Sequence, residues 1–285
     1  MRLAQAALDW LREHDFGEVT SAKPISGGCI NQGMRLLTSS GQTIFLKQNS
    51  NAAPDMFQRE EEGLRALAVS DGPRVPKPFS FGADYLLLED LQPATRAAAY
   101  WESFGRRLAA LHRHVAPRFG FDHDNYLGST PQPNAWTDDG YEFFAEHRIR
   151  FQVRLARDAG LMERADHVRA EAFATRLPDL VPPQPASLIH GDLWSGNAIS
   201  DSAGEPAMID PAAHYGWAEA ELAMTALFGE FPTVFYTAYL ELHTLDPGWR
   251  ERFPLYNLYH LLNHLNLFGT SYLDQVQATL RRYAA

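Results

Sequence analysis

The chain has 285 residues, 45% hydrophobic and 21% charged, the proportions of a soluble globular protein with enough length for two lobes around a cleft. A formal net charge of -10 argues against a nucleic-acid binder, because phosphate backbones select basic faces. Its single cysteine, Cys29, excludes an intrachain disulfide framework and any cysteine-based zinc site.

In Met1–His14 the polar residues Gln5, Asp9, Arg12 and Glu13 interrupt any apolar run, so the segment is expected as an amphipathic helix and not an export signal, which points to the cytoplasm. Ile25–Leu37 and Thr43–Gln48 read as strands about the turn Ser39-Ser40-Gly41. Asp55–Val69 holds Met56 or Phe57, Glu60, Leu64 and Leu67 in helical register, and Pro73, Pro76 and Pro78 end it. Tyr85–Leu88 is a short, fully apolar strand. Beyond Pro93 helical patterns dominate: Tyr100–His114, Trp136–Gly160 and Met162–Arg176, followed by the proline-rich stretch Pro178–Pro185.

Phe253–Leu273 lacks formal charge, but Asn257, His260, Asn263, His264 and Asn266 would be unsatisfied in hydrocarbon. Leu255, Leu258, Leu261, Leu262 and Leu265 recur at helical spacing, which predicts a core helix with a polar stripe and no membrane partner. The layout is α+β: a small β-rich N-terminal lobe over residues 1–90, a large helical lobe over 91–285, and a ligand in the cleft between them.

The strongest chemical signal is Leu188-Ile189-His190-Gly191-Asp192-Leu193-Trp194-Ser195-Gly196-Asn197. An apolar strand runs into a loop that presents Asp192, with Asn197 at the spacing that separates aspartate and asparagine in kinase catalytic loops. An acceptor hydroxyl is a poor nucleophile, so a carboxylate must orient it and take its proton as the phosphoryl group arrives. Met208-Ile209-Asp210-Pro211-Ala212 ends a second apolar strand in a carboxylate, and the turn Ser202–Glu205 is expected to close a hairpin that gathers Asp192, Asn197 and Asp210. Such hard oxygen donors suit Mg²⁺ together with phosphate and water.

Upstream, Ser26-Gly27-Gly28-Cys29-Ile30-Asn31 is a small-residue turn able to lay backbone N–H groups near phosphates, which makes Gly27 and Gly28 candidate nucleotide contacts. Lys47 is the one cation in an apolar strand, and Glu60, Glu61 or Glu62 on the following helix can hold it against phosphates. Taken singly, these residues also fit blander roles, the Asp and Asn as turn caps and Lys47 as a solvated face.

Taken together, SGGCIN, FLK, MFQREEEGL, YLLLEDL, HGDLWSGN and DPAAHYGWAEAELAMTALFG resemble the fructosamine kinase (ketosamine-3-kinase) family, relatives of the aminoglycoside phosphotransferases. The resemblance extends over essentially the whole chain, including FDHDNYLGSTPQPNAW and FFAEHRIRFQ. It implies a protein-kinase-like two-lobe fold with ATP and Mg²⁺ as cofactors. By position, Asp192 resembles the catalytic base, Asn197 and Asp210 the metal ligands, and Lys47 with Glu60 the ion pair of the small lobe. Glu60 is preferred over its neighbours because Phe57-x-x-Glu60 matches the family's helix pattern. Glu89 and Leu91 resemble hinge residues whose backbone meets adenine, and Glu221 a residue that holds the catalytic-loop backbone.

The phosphate turn is not GxGxxG, His190-Gly191 replaces His-Arg, and Asp210-Pro211-Ala212 replaces Asp-Phe-Gly. With no activation loop before an Ala-Pro-Glu, these departures weigh against protein phosphorylation. Trp194, beside the base, reads either as a face for a sugar or as a plug of the large lobe. His260 and His264 read as core or cleft lining, since no HExxH accompanies them.

The resemblance implies phosphorylation of the 3-hydroxyl of a ketosamine, fructosamine or ribulosamine, carried on a small molecule or a glycated amine. The product then sheds its sugar, so the chemistry amounts to deglycation. The resemblance also implies redox-sensitive pairing of two chains through Cys29, hence a homodimer, against the alternative of an inert turn residue. Two rivals stand beside this reading: a kinase of another amino-containing small molecule, aminoglycoside- or choline-like, and a non-catalytic ATP-binding protein of the same fold.

Overall fold

A computed structural model of the chain describes residues 3–25 and 31–284. Gly27, Gly28 and Cys29 lie outside the described residues. Helix α1 (Gln5–Glu13) leads into an antiparallel sheet of β1 (Val19–Ile25), β2 (Gln32–Thr38), β3 (Thr43–Gln48), β4 (Pro78–Phe81) and β5 (Tyr85–Glu89), ordered β1-β2-β3-β5-β4, with α2 (Met56–Leu67) inserted after β3. The sheet is covered on both faces. Ala7 and Leu11 of α1 pack with Met34, Leu36, Ile44, Leu46, Tyr85 and Leu87 on one side, and Phe57 and Leu64 of α2 with Leu86 and Leu88 on the other. Burial on both faces explains why β5 is an unbroken apolar run.

Of the strand expected over Ile25–Leu37, the described part from Gln32 is β2, and it pairs antiparallel with β1, a strand ahead of it that the sequence pattern does not mark. β1 leaves most of its residues exposed and carries Lys23 and Pro24, so it lacks the apolar alternation that marks a strand. β4, unread in the sequence, is an edge strand opening on Pro78, where proline costs no ladder bond.

The remainder is mostly helical: α3 (Tyr100–His112), β6 (Val115–Ala116), the hairpin β7 (Asn125–Leu127) and β8 (Thr130–Gln132), α4 (Gly140–Phe143), a π-helical turn Phe144–Arg150, α5 (Phe151–Asp158) and α6 (Arg164–Leu180). Then come β9 (Ala186–Ile189), the hairpin β10 (Ala198–Ser200) and β11 (Pro206–Met208), β12 (His214–Gly216), α7 (Ala218–Leu227), α8 (Thr233–Leu240), α9 (Phe253–Phe268) and α10 (Leu273–Tyr283). The helix expected from Trp136 begins instead at Gly140, because the Asp139 carboxylate accepts the Tyr141 N–H at 2.7 Å and caps it there. The helix expected to stop at Arg176 runs through Pro178 to Leu180.

α9 is buried on nearly every side, and the amide nitrogens of its polar stripe find partners inside the protein, with Asn257 Nδ2 donating to Ala223 O at 2.8 Å and Asn266 Nδ2 to Gln152 Oε1 at 2.7 Å. Among the described residues, no helix is long and apolar enough to cross a membrane.

Helices α3 and α8 approach through Gly105, where an added Cβ would lie 2.2 Å from Phe235 O and 2.9 Å from Tyr239 N. Gly105→Ala is therefore expected to lower unfolding stability by about 1–3 kcal/mol through overpacking. Chemical denaturation checks this; unchanged stability would show that the two helices separate freely.

Candidate active site

β9 lies between β6 and β12 in a three-stranded sheet and delivers the chain to His190. Gly191 follows with φ +82°, and a Cβ there would stand 2.3 Å from Ala212 O, so only glycine fits between the two segments. His190 O accepts the Ala212 N–H at 2.9 Å, and the His190 ring is bonded to Ile209 O at 2.8 Å. From beneath, the carboxylate of Glu221, in the first turn of α7, accepts the N–H groups of His190 and of Gly191, the latter at 3.2 Å.

The turn Ser202–Glu205 does close a hairpin, but between β10 and β11; the strand that carries Leu188 pairs elsewhere. The ladder continues one bond further, Ile209 N to Asn197 O at 3.1 Å, so Asn197 and Asp210 emerge side by side from the open end. Asn197 Nδ2 donates to Asp192 O at 2.8 Å and to Asp192 Oδ2 at 3.2 Å. This fixes Asp192 against Asn197. Burial, then the charges of Asp210 and Glu221, push the Asp192 carboxyl well above the usual carboxylate range.

Asp210 has φ +60°, a left-handed conformation uncommon outside glycine, and its carboxylate turns toward the sheet. Lys47 Nζ stands 3.0 Å from Asp210 Oδ1 and 2.7 Å from Glu60 Oε1. Its side chain is 8% exposed and that of Glu60 10%. Burial alone would lower the lysine's pKa, but the charges of Asp210 and Glu60 and their hydrogen bonds outweigh it and hold the ammonium above its ordinary value. The other two glutamates are taken on their own helix, Glu61 by Arg65 and Glu62 by Arg59 at 2.9 Å.

Trp194 is 36% exposed, meets Phe228 edge-on at 6.3 Å, and covers Gly196, where an added Cβ would come within 2.4 Å of the indole. It stands at the surface beside Asp192 and does not plug the large lobe. Glu89 ends β5 opposite Ile44, and Leu91 is buried. The Glu89 carboxylate is held by Arg74, whose other arm reaches Asp201 Oδ2 at 2.7 Å. That strut between sheet and hairpin carries no sequence motif, which is why it could not be read from the chain.

His264 Nδ1 is bonded to the His260 carbonyl at 2.8 Å, within one turn of α9. Burial pulls His260 down to about 3, so a neutral ring faces Asp192 with its Nδ1 4.0 Å from Oδ1. Among the described residues no group of three or more His, Cys, Asp and Glu could hold a metal ion. The donor set at the hairpin's end, one carboxylate and one amide oxygen whose nitrogen is already committed, matches the few protein ligands that Mg²⁺ takes beside phosphate and water.

The fold and this site define a kinase of the protein-kinase-like class. The fructosamine kinase family model matches residues 4–285. A protein of Synechocystis sp. named as a ketoamine kinase is 44% identical over 93% of this chain and 90% of its own, and a chloroplastic protein-ribulosamine 3-kinase of Oryza sativa subsp. indica is 35% identical over 96% and 81%. The crystal structure of a Thermobifida fusca protein named as a fructosamine-3-kinase superposes with a TM-score of 0.89 at 33% identity over 98% of both chains. An ADP-bound aminoglycoside phosphotransferase shares the fold alone, with a TM-score of 0.65 and 12% identity over 99% of this chain and 98% of its own. The chain belongs to the fructosamine kinase family.

Glu221 supports the loop with both carboxylate oxygens, and an amide can supply only one acceptor. Glu221→Gln is expected to lower unfolding stability by about 2 kcal/mol, the worth of a hydrogen bond to a charged group. Denaturant titration reads the loss, and a stability equal to wild type would remove Glu221 from this role.

Proposed function

We propose that the chain uses ATP to phosphorylate the 3-hydroxyl of a ketosamine, a sugar held on an amine, and so initiates deglycation. The observation that carries this reading is the placement of Lys47, Glu60 and Asp210 in one ion-paired cluster beside Asp192 and Asn197. Family membership supports ketosamine as the acceptor class; fructosamine and ribulosamine adducts both fit it. We take residues 1–90 as the ATP-binding lobe and 91–285 as the catalytic and acceptor-binding lobe.

In this reading Lys47, held by Glu60, is a fixed cation for the nucleotide's phosphates. Asp192 faces the acceptor hydroxyl, orients it, and takes its proton; the elevated basicity that burial gives this carboxylate suits a proton acceptor. The exposed indole of Trp194 offers the sugar an apolar face next to that carboxylate. Asn197 and Asp210 would hold Mg²⁺, which when bound neutralises charge on the phosphates. Glu89 and Leu91 would meet adenine through the main chain, since the Glu89 side chain is already tied to Arg74.

A panel of fructosamine and ribulosamine adducts, an aminoglycoside and choline, assayed for Mg²⁺-dependent ATP consumption, tests the assignment. Turnover with the ketosamines is expected; turnover only with choline or the aminoglycoside would overturn it. On the active acceptor, Asp192→Asn should reduce turnover by roughly 10²–10⁴ while nucleotide binding persists. Asp210→Ala should abolish the Mg²⁺ response, and a retained Mg²⁺-dependent rate would separate Asp210 from the metal.

A further inference from the structure

The segment Phe121–Trp136, singled out in the sequence, contributes nothing to the roles assigned above, yet it touches both sides of the Lys47 cluster. Its hairpin β7–β8 turns at Gly128, φ +64°, between the paired residues Leu127 and Thr130. On one side Asn125 Nδ2 donates to Ala213 O at 2.8 Å, and Gln132 Nε2 donates to Ala212 O at 3.0 Å and to Asn125 Oδ1 at 2.7 Å. These bonds grip the backbone just beyond Asp210, the residue held in a left-handed turn.

The grip is itself fixed from behind. Asn134 Nδ2 donates to Asn125 Oδ1 at 2.9 Å, the guanidinium of Arg148 donates to Asn134 Oδ1 at 2.7 Å, and the Tyr259 hydroxyl donates to Gln132 Oε1 at 2.7 Å. Asn125, Gln132, Asn134 and Arg148 are all nearly inaccessible. Among the described residues Arg148 has no carboxylate within ion-pair distance, and it lies in the π-helical turn Phe144–Arg150. Its guanidinium lies over the Phe143 ring at 4.5 Å and donates to Pro133 O at 2.6 Å as well as to Asn134 Oδ1, and a buried charge fixes the dipoles it meets in one orientation.

On the other side the Tyr126 hydroxyl donates to Asp55 Oδ1 at 2.6 Å. Asp55 is the residue that enters α2, the helix that carries Glu60, and its carboxylate caps none of that helix's own N–H groups. Burial and then the bond to Asp55 push the Tyr126 phenol up to about 12, so it remains a donor. The same helix rests on the Asp210 segment through Gly63, where a Cβ would contact Ala213 Cβ at 3.4 Å and Pro211 Cγ at 3.5 Å. One hairpin therefore holds the two elements whose carboxylates meet on Lys47.

We infer that β7–β8 is a built-in positioning device, with Tyr126 as its positioning residue toward α2 and Asn125 and Gln132 toward Asp210, that keeps the Lys47–Glu60–Asp210 cluster assembled without a modifiable activation segment. The inference rests on the kinase reading given above. Kinases that control this helix do so by placing it when needed; here the Tyr126–Asp55 bond ties it to the same hairpin that grips the backbone beyond Asp210.

Three full-length variants test this: Tyr126→Phe, which removes only the hydroxyl; Asp55→Ala, which removes the acceptor; and Asp55→Asn, which keeps an acceptor oxygen. In the nucleotide-free protein, amide hydrogen exchange across Met56–Leu67 should quicken by about tenfold in Tyr126→Phe and Asp55→Ala and by less than about threefold in Asp55→Asn. With substrates, the two disrupting variants should raise KM for Mg·ATP by about tenfold and leave KM for the ketosamine within about twofold. Unchanged exchange in α2 overturns the inference. So does a loss in which both KM values and global stability move together, since that is the behaviour of a merely structural contact. The exchange measurement uses no substrate, so a wild type inactive on ketosamines would refute the proposed function while the clamp is still decided.

Discussion

Lys47 Nζ stands within 3.0 Å of carboxylates from two parts of the chain, Glu60 on α2 and Asp210 at the mouth of the β10–β11 hairpin. The rest of the arrangement depends on this contact. An ammonium withdrawn from water is tolerable only when opposite charge surrounds it, and two carboxylates brought together are tolerable only with a cation between them. The sheet, the inserted helix and the helical region thus share one electrostatic contact, the one to which the proposed function assigns the nucleotide's phosphates.

Around that contact the backbone takes left-handed turns, one at a glycine and one at an aspartate, which rarely adopts them. Gly191 and Asp210 both have positive φ, and Gly191 sits against Ala212 with no room for a side chain. Glu221 from below, the Asn197 amide from the side and the bonds between His190 and Ile209 or Ala212 secure the loop that presents Asp192. Arg74 ties the end of β5 to Asp201 in the hairpin, so sheet and hairpin are also joined away from the chain's own connection. Rigidity of this kind suits phosphoryl transfer, where most of the protein's contribution is position and charge.

Much of this was legible in the sequence, for identifiable reasons. β3, the helix after it and β5 could be read because one face, or both, of each is buried and the apolar pattern records it. Local pattern left three successive glutamates open; the resemblance of Phe57-x-x-Glu60 to the family's helix pattern singled out Glu60, and it is the one that reaches Lys47. β1 and β4 were illegible because an exposed or proline-led edge strand leaves no period in the sequence. The links Arg74 to Asp201 and Tyr126 to Asp55 join residues far apart in the chain, and no local pattern encodes such a pairing. The strand pairing of Leu188 was also hidden, since a short buried run does not name its neighbour.

The most direct test of the central claim is to identify the product. Phosphorus NMR of a reaction with Mg·ATP and a fructosamine adduct of a simple amine should show a new phosphate ester on the sugar's 3-oxygen, formed in step with ADP and followed by release of free amine. Formation of ADP with inorganic phosphate alone, or an ester at any other oxygen, would contradict the account.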